Sequence, residues 1–295
     1  MTIQEALEKA KQLSRERQLY TSDEVDVTGG DASLPRRRRT DMSQAPMSPI
    51  QATVLRKLTP QRLTYDRRLC VANRVMIPEE AHPAAVSASA AYRIVRARVL
   101  QKLRTMHWTS LGITSPGPGD GKSITAINLA IALARENNSE VFLLDFDMRS
   151  PSLCQTLGVE PREELVRYFT GEAKAEDVFF SVGIDHLTMA GSLASSEQSS
   201  ELLANGKLEE LFGFIRTSAA NPLIICDLPP VLSTDDVLVV APRVDSTLVV
   251  VAEGKTKRDG LARTLEVLSD FTIAGIVLNR SKEATTDYYG QRSAS

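Results

Sequence analysis

The chain has 295 residues, 42% hydrophobic and 24% charged, a globular composition that excludes collagen-like or wholly low-complexity architecture. Thirty-five Lys and Arg against 37 Asp and Glu leave a net charge of -2, so no global basic field points to nucleic acid. Three scattered cysteines, Cys70, Cys154 and Cys226, have no CxxC spacing, which argues against a disulfide framework or a zinc site and for a reducing, cytoplasmic setting.

Thr2 followed by Glu5 fits a capping box, and Ile3, Leu7, Ala10 and Leu13 recur at helical spacing, so a short amphipathic helix is expected over residues 1–20. Residues 21–82 mix Gly29-Gly30, four consecutive arginines and several prolines with few periodic apolar positions, the pattern of a linker arm. The arm is basic. Residues 36–74 carry ten basic side chains and two acidic ones, a local balance of +8, which leaves the rest of the chain at -10. A solvated linker and an arm drawn to an anionic membrane surface are both consistent with that charge. Nucleic acid is not expected, because Tyr65 alone is interleaved for stacking. The charged N-terminus has no apolar signal core. The most apolar run, Val237 to Ala252, is broken by Arg243 and Asp245, short of the roughly 18 to 20 apolar residues that span a bilayer.

Regular structure is expected from residue 83 to 283, with a flexible tail over 284–295. Val86, Ala90, Ile94 and Leu103 suggest one apolar helix face, with Arg93, Arg96, Arg98 and Lys102 opposite. Strands are expected at Ser110–Thr114, Val141–Asp145, Leu223–Cys226, Thr247–Val251 and Ile273–Leu278. Helices are expected from Gly121 to about Arg135, near Lys207–Arg216 and near Arg258–Leu268. Such alternation predicts an α/β fold, a mostly parallel twisted sheet flanked by helices.

The sharpest motif is TSPGPGDGKS, Thr114 to Ser123, between an apolar strand and an apolar-periodic helix. Gly121-Lys122-Ser123 stand where a P-loop places its lysine and its metal-binding hydroxyl, although Pro116 occupies the first glycine position of the general pattern. Backbone N–H groups must turn inward around a polyphosphate, and the helix N-terminus adds a positive partial charge. Gly117, Pro118, Gly119, Asp120, Gly121, Lys122, Ser123 and Ile124 are therefore the expected nucleotide contacts. VFLLDFDMR then ends a strand with Asp145 and Asp147, which the two-residue strand period puts on one side. Paired there, they could hold Mg²⁺ and take a proton from a hydroxyl, or could cap the next helix. LIICDLPP offers a second apolar strand ending in Asp227.

Together these motifs resemble the bacterial tyrosine kinases, the autokinases of capsule and exopolysaccharide assembly, whose Walker A, Walker A′ and Walker B forms TSPGPGDGKS, LLDFDMR and IICDLPP match. The resemblance covers Ala91 to about Tyr289 and implies a MinD/ParA-like P-loop fold, with ATP and Mg²⁺ bound. It implies that Lys122, Asp145 and Asp147 are catalytic, that Ser123, Asp145 and Asp227 hold the metal, and that Asn279 reads adenine. The signature lysine of MinD/ParA ATPases is replaced by Gly117, which favours the kinase branch. Autophosphorylation is implied at a C-terminal tyrosine cluster, here Tyr288 and Tyr289. A membrane-embedded polysaccharide co-polymerase is implied as activator, placing the chain at the inner face of the plasma membrane. A homo-oligomer is implied through an ExxRxxR helix; AAYRIVRAR keeps Arg93 and Arg96 but has Ala90 at the glutamate position. The alternative is a P-loop ATPase that acts as an assembly switch without tyrosine transfer.

Overall fold

The computed structural model describes residues 58–77, 83–136 and 139–281, all within the compact unit Val54–Ser295. The helix expected over 1–20, the arm up to residue 57 and the tail with Tyr288 and Tyr289 lie outside the described residues. In chain order the elements are β1 (Gln61–Arg62), α1 (Arg67–Ala72), α2 (Pro83–Met106), β2 (Ser110–Thr114), α3 (Lys122–Ala134), β3 (Glu140–Asp145), α4 (Leu153–Leu157), α5 (Leu165–Thr170), β4 (Phe180–Ser181) and β5 (Leu187–Ala190). They continue with α6 (Ser199–Ala204), α7 (Lys207–Ser218), β6 (Pro222–Asp227), α8 (Asp236–Val240), a 3₁₀ turn (Ala241–Arg243), β7 (Ser246–Ala252), α9 (Arg258–Val267) and β8 (Ile273–Asn279).

The strands form one eight-stranded sheet in the order β1-β4-β5-β3-β6-β2-β7-β8, parallel throughout except for β4 against β5. The central strands are apolar on both faces because helices cover both. In β3, Val141 and Leu143 join the core beneath α2 and α3, whereas Phe142 and Leu144 join the opposite, aromatic-rich core with Phe146, Phe169, Phe179 and Phe212. In that second core Phe142 meets Phe179 edge-on and Phe146 meets Phe169 edge-on, the arrangement favoured by ring quadrupoles. Strand order reverses between β3 and β2, neighbours of β6, so the carboxyl ends of β2, β3 and β6 open one crevice, where open α/β sheets bind ligands.

Two expectations are corrected. Residues 58–77, expected within the linker arm, are folded onto the body: β1 pairs in parallel with β4, and Cys70, Val75, Met76 and Ile77 are buried. Short elements carry no periodic signal, and Arg62, Arg67, Arg68 and Arg74 stay exposed, as do Leu69 and Val71, while Leu63, Tyr65 and Cys70 pack on the core. Asp66 caps α1 by accepting from Arg68 N and Leu69 N. Asn128, inside α3, then locks the segment: its Oδ1 accepts from Met76 N at 2.8 Å and its Nδ2 donates to Arg74 O at 3.0 Å. The second correction concerns α2. Ile94 is 51% exposed, and the stripe that packs on the core is Val95, Val99 and Leu103, spaced four apart. Ile94 sits one residue, about 100°, off that stripe. On the same helix Arg96 is committed within the chain, donating to Ala132 O at 3.4 Å and pairing with Glu136 at 3.1 Å at the C-terminal end of α3, where a cation suits the helix dipole.

Candidate functional site

The loop from Ser115 to Gly121 joins β2 to α3 and is shaped by its own backbone. Gly119 and Gly121 have φ of 72° and 97°, left-handed values that disfavour a side chain. At Gly121 the left-handed φ sets the constraint, and a Cβ would in addition displace the Asn279 amide, whose Nδ2 would lie 2.0 Å away. The loop leans on the segment after β6: Thr114 Oγ1 donates to Pro229 O at 2.7 Å, and Val231 N donates to Ser115 O at 2.8 Å. Ser115 Oγ donates to Gly117 O at 2.8 Å, and Gly117 N donates to Asp120 Oδ2 at 3.2 Å. Ile124 is half-buried and packs against the core.

Lys122 opens α3 and turns its ammonium into a buried ring of acids. Its Nζ donates to Asp147 Oδ2 at 2.8 Å, to Ser123 Oγ at 3.1 Å and to Asp227 Oδ1 at 3.5 Å. Burial works to discharge this amine, but Asp227, Asp147 and Asp145 together outweigh it and hold the amine above its usual range. Asp145 closes β3 and Asp227 closes β6, in register with each other across the two strands. Burial, then the neighbouring Asp227 carboxylate, push Asp145 up to about 7 against the pull of Lys122 and two backbone N–H groups. Asp227 is likewise raised by burial.

The strand period does not deliver Asp147, because β3 ends at Asp145. Asp147 reaches Lys122 through a turn: its N–H donates to Asp145 Oδ1 at 3.1 Å, and its Oδ1 accepts from Ser150 N at 3.2 Å. Asp145 Oδ2 accepts from Ser152 N and Leu153 N, each at 3.0 Å, at the start of α4. Asp145 thus ties down the start of the next helix, the second of the two expectations for the pair, while Asp147 faces the lysine.

The donor set suits Mg²⁺. Asp227 Oδ2 is buried without a hydrogen-bond partner, and Ser123 Oγ lies within reach of the same ammonium, so an oxygen-seeking cation has a free carboxylate oxygen and a hydroxyl at the helix start. Among the described residues no group of three or more His, Cys, Asp or Glu could hold a metal by itself. Mg²⁺ usually takes one or two carboxylates and completes its shell with water and phosphate, so such a cage is not required.

Asn279 sits beside the loop, with both ends of its side chain engaged: Nδ2 donates to Asp120 O at 2.9 Å and Oδ1 accepts from Arg280 N at 2.8 Å. Two cations at this edge, and one buried carboxylate elsewhere in the fold, were given no site role from the sequence. Lys255, past β7, donates from Nζ to Pro118 O and lies 3.9 Å from Asp120 Oδ1. Arg280 donates from Nη2 to Gly119 O at 2.9 Å. Asp236 is buried, accepts from Ser199 Oγ at 2.6 Å and pairs with Arg149 Nε at 3.5 Å. The usable signal for Lys255 and Arg280 was their position at the carboxyl ends of parallel strands, where ligand crevices form.

A phosphate loop at the carboxyl edge of a parallel sheet, facing one lysine and three strand-end or turn aspartates, defines a P-loop nucleotide-binding domain. Residues 111–290 match the family of CobQ/CobB/MinD/ParA nucleotide binding domains, and the chain belongs to that family. Within it the chain is similar to the tyrosine-protein kinase YwqD of Bacillus subtilis, 28% identical over 206 residues, which cover 68% of this chain and 86% of YwqD. It is 32% identical over 177 residues to the succinoglycan biosynthesis transport protein ExoP of Rhizobium meliloti, covering 58% of this chain but 22% of ExoP. Among solved structures, the kinase domain of the Escherichia coli tyrosine kinase ETK superposes with a TM-score of 0.60 at 23% identity, over 69% of this chain and 80% of that domain, a likeness of fold.

Proposed function

We infer that the chain is a bacterial-type protein-tyrosine kinase that transfers the γ-phosphate of ATP to tyrosine in capsule or exopolysaccharide assembly. The observation that carries this reading is the meeting of Lys122, Asp147 and Asp227 within 3.5 Å in one buried cluster at the mouth of the phosphate loop. The relatives named as tyrosine-protein kinases, such as YwqD, support the reaction.

The chemistry follows from the residues. The loop N–H groups and the start of α3 bind the phosphates of ATP. Lys122 neutralises charge on the transferred group, exchanging its carboxylate partners for phosphate oxygens. Ser123 Oγ and Asp227 Oδ2 would hold Mg²⁺, with Asp145 beside them; when bound, the metal offsets charge that builds on the phosphate oxygens. Asp145 is our candidate to accept the proton of an incoming tyrosine hydroxyl, and Asp147 keeps Lys122 in place. Asn279 remains our candidate for the adenine edge.

The acceptors are Tyr288 and Tyr289, reached in trans from a second copy, with Arg93 exposed on α2 for that contact while Arg96 is engaged within the chain. The activator is a membrane-embedded polysaccharide co-polymerase, which sets the kinase at the cytoplasmic face of the plasma membrane. Among the described residues no helix is long and apolar enough to cross a membrane. The basic residues before 58 offer an anionic surface a further contact. Incubating the purified chain with ATP, Mg²⁺ and the co-polymerase's cytoplasmic segment tests the reading: phosphotyrosine should accumulate, and its absence would sink the kinase assignment.

Ala90, at the contact-motif glutamate position, favours a second reading, an ATP-driven assembly switch without tyrosine transfer. It expects Tyr288→Phe/Tyr289→Phe to leave polymer export intact while Lys122→Met abolishes it; equal loss in both would rule it out.

A further inference from the structure

The outer face of the phosphate loop is held by three side chains from the ends of β7 and β8. Lys255 Nζ, Arg280 Nη2 and Asn279 Nδ2 donate to the consecutive carbonyls of Pro118, Gly119 and Asp120. In a planar trans peptide the C=O and the following N–H point opposite ways. Drawing these three carbonyls outward therefore turns the N–H groups of Gly119, Asp120 and Gly121 toward the concave side, where phosphate binds.

The base of this brace is itself fixed. Lys255 N and Thr256 N both donate to Ala252 O, at 3.2 and 2.9 Å, and Ala252 N donates to Thr256 Oγ1 at 2.8 Å, so Lys255 projects from a closed turn. Glu253 N donates to Asn279 O at 2.9 Å, which ties that turn to the end of β8. Arg280 takes a φ of 57°, a left-handed value costly for a non-glycine residue, and its N–H is held by Asn279 Oδ1. The left-handed φ of Gly119 favours glycine there, and a Cβ would in addition push Lys255 Nζ, 2.4 Å away, off the loop.

Charge gives the brace a second purpose. Asp120 puts a buried carboxylate into a loop that must receive a polyphosphate, and its Oδ2 already takes the Gly117 N–H. Lys255, 3.9 Å from Asp120 Oδ1, is the cation that offsets it.

We propose that Lys255 and Arg280 are positioning residues of the phosphate loop, holding its carbonyls outward and, through Lys255, cancelling the Asp120 charge so that the loop accepts a nucleoside triphosphate. The proposal rests on the nucleotide-binding reading of this site but not on tyrosine transfer. It is tested on the full chain by Mg-ATP affinity, by KM and kcat for ATP, and by melting of the ligand-free protein. Lys255→Met and Arg280→Met should each weaken ATP binding about tenfold, the size of one charge-assisted hydrogen bond lost. KM should rise with kcat held within about twofold, the signature of binding lost equally from ground and transition states. Lys255→Arg should restore most of the affinity; the ligand-free Lys255→Met protein should melt lower, because buried Asp120 loses its cation, and the Asp120→Asn change should remove that difference. In an Asp120→Asn background, Lys255→Met should cost clearly less than in the original chain. Affinities within twofold of the original in both Met variants, or a Lys255→Met loss undiminished by the Asp120→Asn change, would overturn it. ATP binding without phosphotyrosine would defeat the kinase reading while leaving the brace standing.

Discussion

The inner and outer faces of one loop are built in opposite ways. Inside, one cation, Lys122, faces three buried carboxylates, Asp145, Asp147 and Asp227. Outside, two exposed cations, Lys255 and Arg280, hold loop carbonyls, and Lys255 also faces the single carboxylate of Asp120. The inner face is short of positive charge, which is the condition for drawing in a divalent cation with a nucleotide; the outer face has enough to shape the backbone and no more. Burial makes the difference consequential, since charges removed from water interact far more strongly than the same charges at a surface.

The contrast is broken most severely at Lys122. Lys122→Met should lower phosphoryl transfer by at least about 100-fold, since it removes a preorganised charge aimed at the transferred group. Steady-state kinetics with ATP would measure it, and a loss no larger than that of Lys255→Met would erase the distinction between the faces.

The next effect is on pH dependence. Asp145 is raised to about 7 from an ordinary 3.8, and Asp227 is raised too, so between those values the folded state holds protons the unfolded chain has released. Stability of the Mg²⁺-free protein should therefore be fullest below about pH 4 from these groups and fall as pH rises to about 7, by roughly 2–4 kcal/mol. Denaturant titrations across that range would record the slope; Asp145→Asn should flatten it, as should saturating Mg²⁺.

A smaller effect is expected behind the loop. Asn128→Ala strands the buried Met76 N–H and the Arg74 carbonyl, which should cost about 1–3 kcal/mol in thermal or denaturant unfolding. Smallest of all is Arg167→Ala. Its pairs with Glu163 and Glu172 lie at the surface, and their loss should cost under about 1 kcal/mol in the same assay. An Arg167 effect equal to that of Asn128 would mean that burial does not rank these contacts.

The inner face was legible in the sequence because each of its parts is local. Gly121-Lys122-Ser123 follow an apolar strand and start an apolar helix, and Asp145 and Asp227 end strands whose runs of Val, Leu and Ile are unmistakable. The outer face was not, because Lys255 and Arg280 meet the loop 137 and 161 residues away along the chain, and only the neighbouring of β2, β7 and β8 brings them there. Asp147 is on the side that strand periodicity predicts, but for another reason: a turn, not strand register, delivers it. Residues 58–77 were hidden by their arginines, since exposed charge dominates composition while Cys70, Val75 and Ile77 do the packing. Ile94 is misleading in the sequence because a helix with arginines on several sides offers more than one apolar stripe, and packing on the core selects Val95, Val99 and Leu103.

The most direct test of the central claim is a mass-spectrometric phosphosite map of the protein after incubation with Mg-ATP, alongside its Lys122→Met variant. The account predicts phosphate on Tyr288 or Tyr289 in the original chain and on neither in the variant. ATP consumed with every tyrosine unmodified would contradict it.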